Sequence, residues 1–149
     1  MKIGHLRFKV QDMDRAIAFY TGLLGMSLNE RVGDDYAFLS GGEAHHEIAL
    51  MKVSGAGPSP SADSVGFEHL AFQLPDQRAF AEAFLRLSTS GMNVKAVDNG
   101  ISWAMYFADP DGMRIELFVD ARTAPGGRPL WEGRSQDLHA EVIKAVLEA

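Results

Sequence analysis

The chain has 149 residues, 46% of them hydrophobic and 23% charged, which suits one soluble globular domain with its own apolar core. It has no cysteine, which excludes disulfides, thiolate metal sites and a cysteine nucleophile, so any metal must be held by His, Asp or Glu. The formal net charge of -6 comes without a basic patch, there is no run of about eighteen apolar residues, and the opening Met1-Lys2-Ile3-Gly4-His5 has no apolar signal core; nucleic-acid and membrane partners are therefore not expected, and a cytoplasmic location is.

In chain order, a short alternating strand runs from His5 to Val10, with an Asp behind it (Asp12 or Asp14) to cap a helix. The helix carries Ala16, Ile17, Phe19, Tyr20, Leu23 and Leu24 at helical spacing and stops at Gly25, as a left-handed C-terminal cap would. Strand-like runs follow at 26–32, 36–40 and 47–53. The same order then returns. A strand opens at His69, Asp76 caps a helix with Phe80, Phe84, Leu85 and Leu87, Gly91 ends it, and strands follow at 93–97, 102–109 and 114–119. The sequence is thus an internal repeat, β-α-β-β-β twice, with module one at 1–53, a Gly/Pro-rich linker at 54–64 and module two at 65–120. The expected fold class is α+β, two βαβββ modules related by a pseudo-twofold and forming a cupped, open-barrel mixed sheet. A tail at 121–149 holds a loop at 124–129 and a short amphipathic helix at 137–148, suited to covering the sheet or packing on a partner.

Alternation along the strands selects the residues that face the cup. His5, Arg7 and Lys9 oppose Leu6, Phe8 and Val10, and in the repeat His69, Ala71 and Gln73 oppose Leu70, Phe72 and Leu74. Each module thus places a histidine at the same position on the face away from its helix. In the last strand Glu116 stands between Ile115 and Leu117, where a carboxylate is costly unless paired or coordinated. Two imidazoles and one carboxylate make a facial triad with open positions, a set that suits Fe(II) in oxygen chemistry. The expected metal ligands are His5, His69 and Glu116. Donor type alone leaves Mn(II), Zn(II) and Ni(II) open beside Fe(II).

These residues carry a resemblance to the vicinal oxygen chelate superfamily, which includes glyoxalase I, bleomycin- and fosfomycin-resistance proteins, methylmalonyl-CoA epimerase and type I extradiol dioxygenases. The carrying segments are Gly4-His5-Leu6, Asp14 through Phe19-Tyr20 to Leu24-Gly25-Met26, His69-Leu70-Ala71-Phe72, and Phe107-Ala108-Asp109-Pro110-Asp111-Gly112 through Ile115-Glu116-Leu117. Ala49 falls where glyoxalase I has a fourth ligand, a Glu, so the resemblance is closer to the extradiol dioxygenases, with two His and one Glu around Fe(II). It implies a catecholic substrate, with O2 as co-substrate, and three further site residues. His46, before Ile48-Ala49-Leu50, matches an acid–base histidine; strict alternation favours His45, which stays as the backup, so a bulge or loop start must re-aim His46. Tyr106 matches a tyrosine that hydrogen-bonds a catecholic oxygen. Asn99 stands where the family segment has a histidine, and an amide cannot carry a proton between states as imidazole does.

Met51, Phe38, Trp103, Met105 and Phe118 are candidate pocket residues or plain core, and the loops 29–35 and 125–134 are expected to carry specificity. The Asp109-Pro110-Asp111-Gly112 turn is expected to aim the last strand rather than to do chemistry. Alternatives are another metal-dependent enzyme of the fold (lyase, isomerase or epimerase), a ligand-sequestering resistance protein, or a metal-free association domain. A homodimer is expected from the size, the sheet edges and the helical tail.

Overall fold

The computed structural model describes residues 1–55, 57 and 63–148, and most of the linker predicted at 54–64 lies outside them. The described residues form two compact units, Met1–Ser64 with Asp109–Gly112, and Val65–Ala108 with Met113–Ala149.

In the first unit, β1 (Leu6–Val10) leads to α1 (Met13–Ala18), which continues as a π-helical stretch over Phe19–Leu23; β2 (Ser27–Val32), β3 (Tyr36–Ser40) and β4 (Ile48–Lys52) follow. Asp12, not Asp14, is the N-cap: its carboxylate accepts from the Arg15 amide at 2.9 Å, satisfying one of the free donors of the first turn. The sheet order is β1-β4-β3-β2, with β1 parallel to β4 and the other pairs antiparallel. Phe8 and Val10 are buried while Arg7 and Lys9 are exposed, so the alternation read in the sequence places the apolar side of β1 on the helix. There Phe8 stacks on the fully buried Tyr20, whose ring also meets Phe19 edge-on at 5.2 Å.

The second unit repeats this with β5 (Leu70–Gln73), α2 (Gln77–Thr89), β6 (Lys95–Asp98), β7 (Ser102–Ala108) and β8 (Arg114–Asp120). Asp76 caps α2 through the Ala79 amide at 2.8 Å, and Gly91 follows it at φ 82°, the left-handed cap expected from sequence. The order β5-β8-β7-β6 matches that of the first sheet, again with a parallel first pair. Ile115, Leu117 and Val119 are buried beside Phe80 and Leu87 of α2, the apolar burial that holds helix to sheet at about 1.5–3 kcal/mol per large side chain.

The tail corrects one expectation. Its helix, α3 (Ala140–Glu148), starts three residues later than the predicted 137, because Gln136–Asp137 form a further strand, β9, paired antiparallel with Asp98 and Val97 on β6. The Leu138 amide then donates to the Ala96 carbonyl, so backbone pairing takes these residues before the helix can. α3 packs on α2 with Ile143 fully buried. Among the described residues no helix is long and apolar enough to cross a membrane.

Candidate metal centre and substrate cavity

In the second unit β5 and β8 are neighbours in parallel register, Ala71 opposite Glu116. His69 lies two residues before Ala71 and Arg114 two residues before Glu116, so all four share the face away from α2. That register brings His69 Nε2 to 2.7 Å from Glu116 Oε2. The other ring nitrogen, Nδ1, bonds the carboxylate of Glu68, which also pairs with Arg114. An imidazole oriented by a carboxylate on one nitrogen, with a second carboxylate converging on the other, is the arrangement of a histidine ligand with its supporting partner. His69 and Glu116 therefore fit a divalent ion by donor chemistry, and Glu116 is sheltered at 8% exposure. Among the described residues no group of three or more His, Asp or Glu side chains is assembled as an ion cage.

Tyr106 on β7 is paired with Glu116 on β8. Its ring meets His69 edge-on at 5.7 Å. The Arg114 guanidinium lies 4.6 Å from the centre of that ring. Burial, and then the negative charge of Glu116, push the Tyr106 hydroxyl above the usual phenol range, which keeps it a proton donor. Glu68 and Arg114 were not singled out in the sequence. The signal was present, since one adjoins His69 and the other alternates onto the face of Glu116.

His5 and His46 meet in the first unit, with ring centroids 4.7 Å apart. His45 and His46 precede β4 in a loop, so the strict strand alternation that favoured His45 does not apply to them. His46 is turned toward His5 and packs on Phe38 at 5.0 Å, whereas His45 reaches Glu30 at 3.2 Å. Two anchors fix this loop. Asn29, at a register shift between Leu28 and Glu30, donates to the His45 carbonyl at 2.9 Å, and Glu47 accepts from Ser40 Oγ and the Gly41 amide. Burial first, then the neighbouring His5 and His45, lower the His46 pKa. Ala49 is fully buried on β4, opposite Arg7 of β1 and Phe38 of β3.

A cavity of about 860 Å³ opens on the face of the second sheet away from α2, lined among others by Glu116, Tyr106, Phe118, Val97, Leu130 and Trp131. This volume is in the range of small-molecule sites. Of the residues left open between pocket and core, Phe118 lines it, whereas Trp103 and Met105 belong to the core. They alternate to the opposite side of β7, where Trp103 packs against Phe80 of α2 and Met105 is fully buried. Asn99, in the β6–β7 turn, also lines the cavity, with its amide engaged: Nδ2 donates to Ser102 Oγ at 3.3 Å and Oδ1 accepts from Ser135 Oγ at 2.5 Å.

The Asp109–Gly112 turn groups with the first unit and is hydrogen-bonded to it. Tyr20 donates to Asp109 Oδ2 at 2.9 Å, and Arg15 and the Gln11 amide meet Asp111 Oδ1 at 3.1 and 3.2 Å. Burial, with Asp109 beside it, drives the Tyr20 hydroxyl far above the usual phenol range.

Comparison with known proteins agrees with this architecture. The chain is 28% identical over 118 residues to a catechol-2,3-dioxygenase of Bacillus subtilis, covering 79% of this chain but only 41% of that one. It is 33% identical over 137 residues to a lactoylglutathione lyase of Haemophilus influenzae, covering 85% of this chain and 98% of that one. Among solved structures, a glyoxylase/bleomycin resistance protein/dioxygenase domain from Frankia sp. EAN1pec superposes with a TM-score of 0.67 at 23% identity, over 80% of this chain and 98% of that one. With residues 2–117 matching the family model, the chain belongs to the Glyoxalase/Bleomycin resistance protein/Dioxygenase superfamily.

Proposed function

We propose that the protein is a metal-dependent extradiol-type dioxygenase that opens a catecholic ring beside its diol, with Fe(II) held by His5, His69 and Glu116. The observation that carries this reading is the convergence of His69 Nε2 and Glu116 Oε2 at 2.7 Å, with Tyr106 paired opposite Glu116 and its ring edge-on to His69. A bound ion would supply a single coordination sphere in which diol oxygens and O2 meet in fixed orientation. In the overall reaction the ring bond next to the diol breaks and both atoms of O2 enter the product.

The chain's own groups do the remaining work. Glu68 holds the His69 ring by its Nδ1. Tyr106, fixed between Arg114 and His69, donates a hydrogen bond to the substrate oxygen as negative charge develops there. His46 takes the diol proton, the role the resemblance assigns to it. Ala49, which has no ligating group, supports a set of three protein ligands.

A second reading, a lyase of the same superfamily, is supported by the 33% identity to the Haemophilus lyase over 137 residues. Oxygen uptake separates the two. Protein loaded anaerobically with Fe(II) should consume O2 on addition of a catechol. No uptake across a panel of catechols, with turnover of the hemithioacetal of methylglyoxal and glutathione, would replace the first reading by the second. A homodimer remains part of the proposal, to be checked by light scattering.

A further inference from the structure

We propose that Trp131 is a specificity-determining wall of the second unit's cavity, and that this cavity selects a diol carrying a second apolar ring. The diol end rests on the function proposed above; the apolar end rests on the tail segment alone.

Residues 128–135 form a strap tied down at both ends. At one end the Arg128 amide donates to the Gly100 carbonyl at 2.9 Å, and the Arg128 side chain packs so closely that a Cβ on Gly100 would lie 3.0 Å from its Cδ. The chain reaches this point by doubling back so tightly that a Cβ on Gly127 would lie 1.8 Å from the Ala121 carbonyl oxygen. At the other end Ser135 Oγ donates to Asn99 Oδ1, and β9 continues the hold on β6. Trp131 Nε1 donates to Ser135 Oγ at 3.2 Å, so its indole hangs from the chain Trp131–Ser135–Asn99. The next residue, Glu132, has φ 54°, a left-handed conformation that a non-glycine residue adopts only when its surroundings impose it. Such outliers gather at ligand clamps. Trp131 is nevertheless 50% exposed while lining the cavity, an apolar surface held in place without being used by the core.

The position of the strap sets the length of the ligand. Glu116, Phe118 and Asp120 follow one another on the cavity face of β8, so Asp120 lies about 13 Å beyond Glu116 at the usual strand rise. Ser102 pairs with Asp120, and Asn99 bonds Ser102, so the strap stands at the Asp120 end. Between lie Val97 and Phe118, both apolar. Of the charges lining the far end, Asp120 and Arg122 pair with each other through two contacts. A one-ring diol gripped at Glu116 stops short of Trp131, whereas two linked rings reach it. The strap lies beyond the residues 2–117 that match the family, so this selectivity belongs to this chain's own tail.

The test compares catechol with biphenyl-2,3-diol, which share the same diol. In Fe(II)-loaded protein, Trp131→Ala should raise KM for biphenyl-2,3-diol about tenfold, leave KM for catechol within about twofold, and leave kcat for both unchanged. Trp131→Phe should restore most of the loss, and Ser135→Ala should reproduce part of it. Equal effects on both diols would overturn the proposal. Anaerobic titration of the metal-free protein with biphenyl-2,3-diol gives a second readout. Saturable quenching of tryptophan fluorescence that disappears in Trp131→Phe is expected, and quenching that persists unchanged in that variant would overturn the proposal. If no diol supports oxygen uptake yet this quenching is seen, the function proposed above fails and the apolar wall stands.

Discussion

His69 Nε2 and Glu116 Oε2 stand 2.7 Å apart because β5 and β8 are parallel neighbours in the register that sets Ala71 opposite Glu116. Glu68 on the far nitrogen of the same imidazole completes the arrangement. Outer partners of this kind are typically worth about 10–100-fold in metal affinity. Glu68→Ala should therefore weaken Fe(II) or Zn(II) binding by that factor without abolishing it, as measured by competition with a chromophoric chelator.

Tyr106 should act on the reaction rather than on binding. Its hydroxyl stays protonated and is aimed at the carboxylate end of the cavity, so Tyr106→Phe should lower kcat by about 10²–10³ with little change in KM, as expected for a donor that engages developing charge. Steady-state oxygen uptake with a catechol measures both constants.

Most of the frame of the site was legible from period and repeat. The β-α-β-β-β order, the caps at Asp76 and Gly91 and the outward face of His69 and Glu116 all follow from spacing within single elements. What spacing could not reach was pairing. That Gln136 and Asp137 join β6 depends on a partner strand forty residues away, and their helical periodicity gave no hint of it. Residue type alone left Trp103 and Met105 open between pocket and core. The parity of β7, fixed by Tyr106 opposite Glu116, sends them to the helix side. The loop 125–134 was expected to carry specificity, but the bond from Ser135 to Asn99 that holds it exists only in the folded chain.

The Tyr20–Asp109 bond ties the Asp109–Gly112 turn to the π-helical stretch that follows α1. A hydrogen bond to a charged group contributes about 1.5–3 kcal/mol, so Tyr20→Phe should lower unfolding stability by about that amount in urea denaturation. The folded state raises the Tyr20 pKa, so the contribution is complete below the ordinary phenol value of 10.0 and declines as pH rises above it. Wild type should accordingly lose its advantage over Tyr20→Phe in strongly alkaline solution.

Asp120 tests the far end of the cavity. The Arg122 side chain first, then its backbone amide, hold the Asp120 carboxyl at about 2. Its contribution to stability is present above the unfolded value of 3.8 and is lost as pH falls toward about 2. In Arg122→Ala, which keeps the backbone donor, carboxyl carbon chemical shifts should show Asp120 titrating above about 2 but still below 3.8. A titration that stays near 2 would mean that other groups hold the charge.

The central claim is that His69 and Glu116 ligate a divalent ion together. The most direct test is metal content after anaerobic reconstitution with Fe(II) and desalting, comparing wild type with His69→Ala and Glu116→Ala, each checked for fold by circular dichroism. One ion per chain in wild type and loss of the ion in both variants is the predicted result. Full retention in either variant, or no ion in reconstituted wild type, would contradict it.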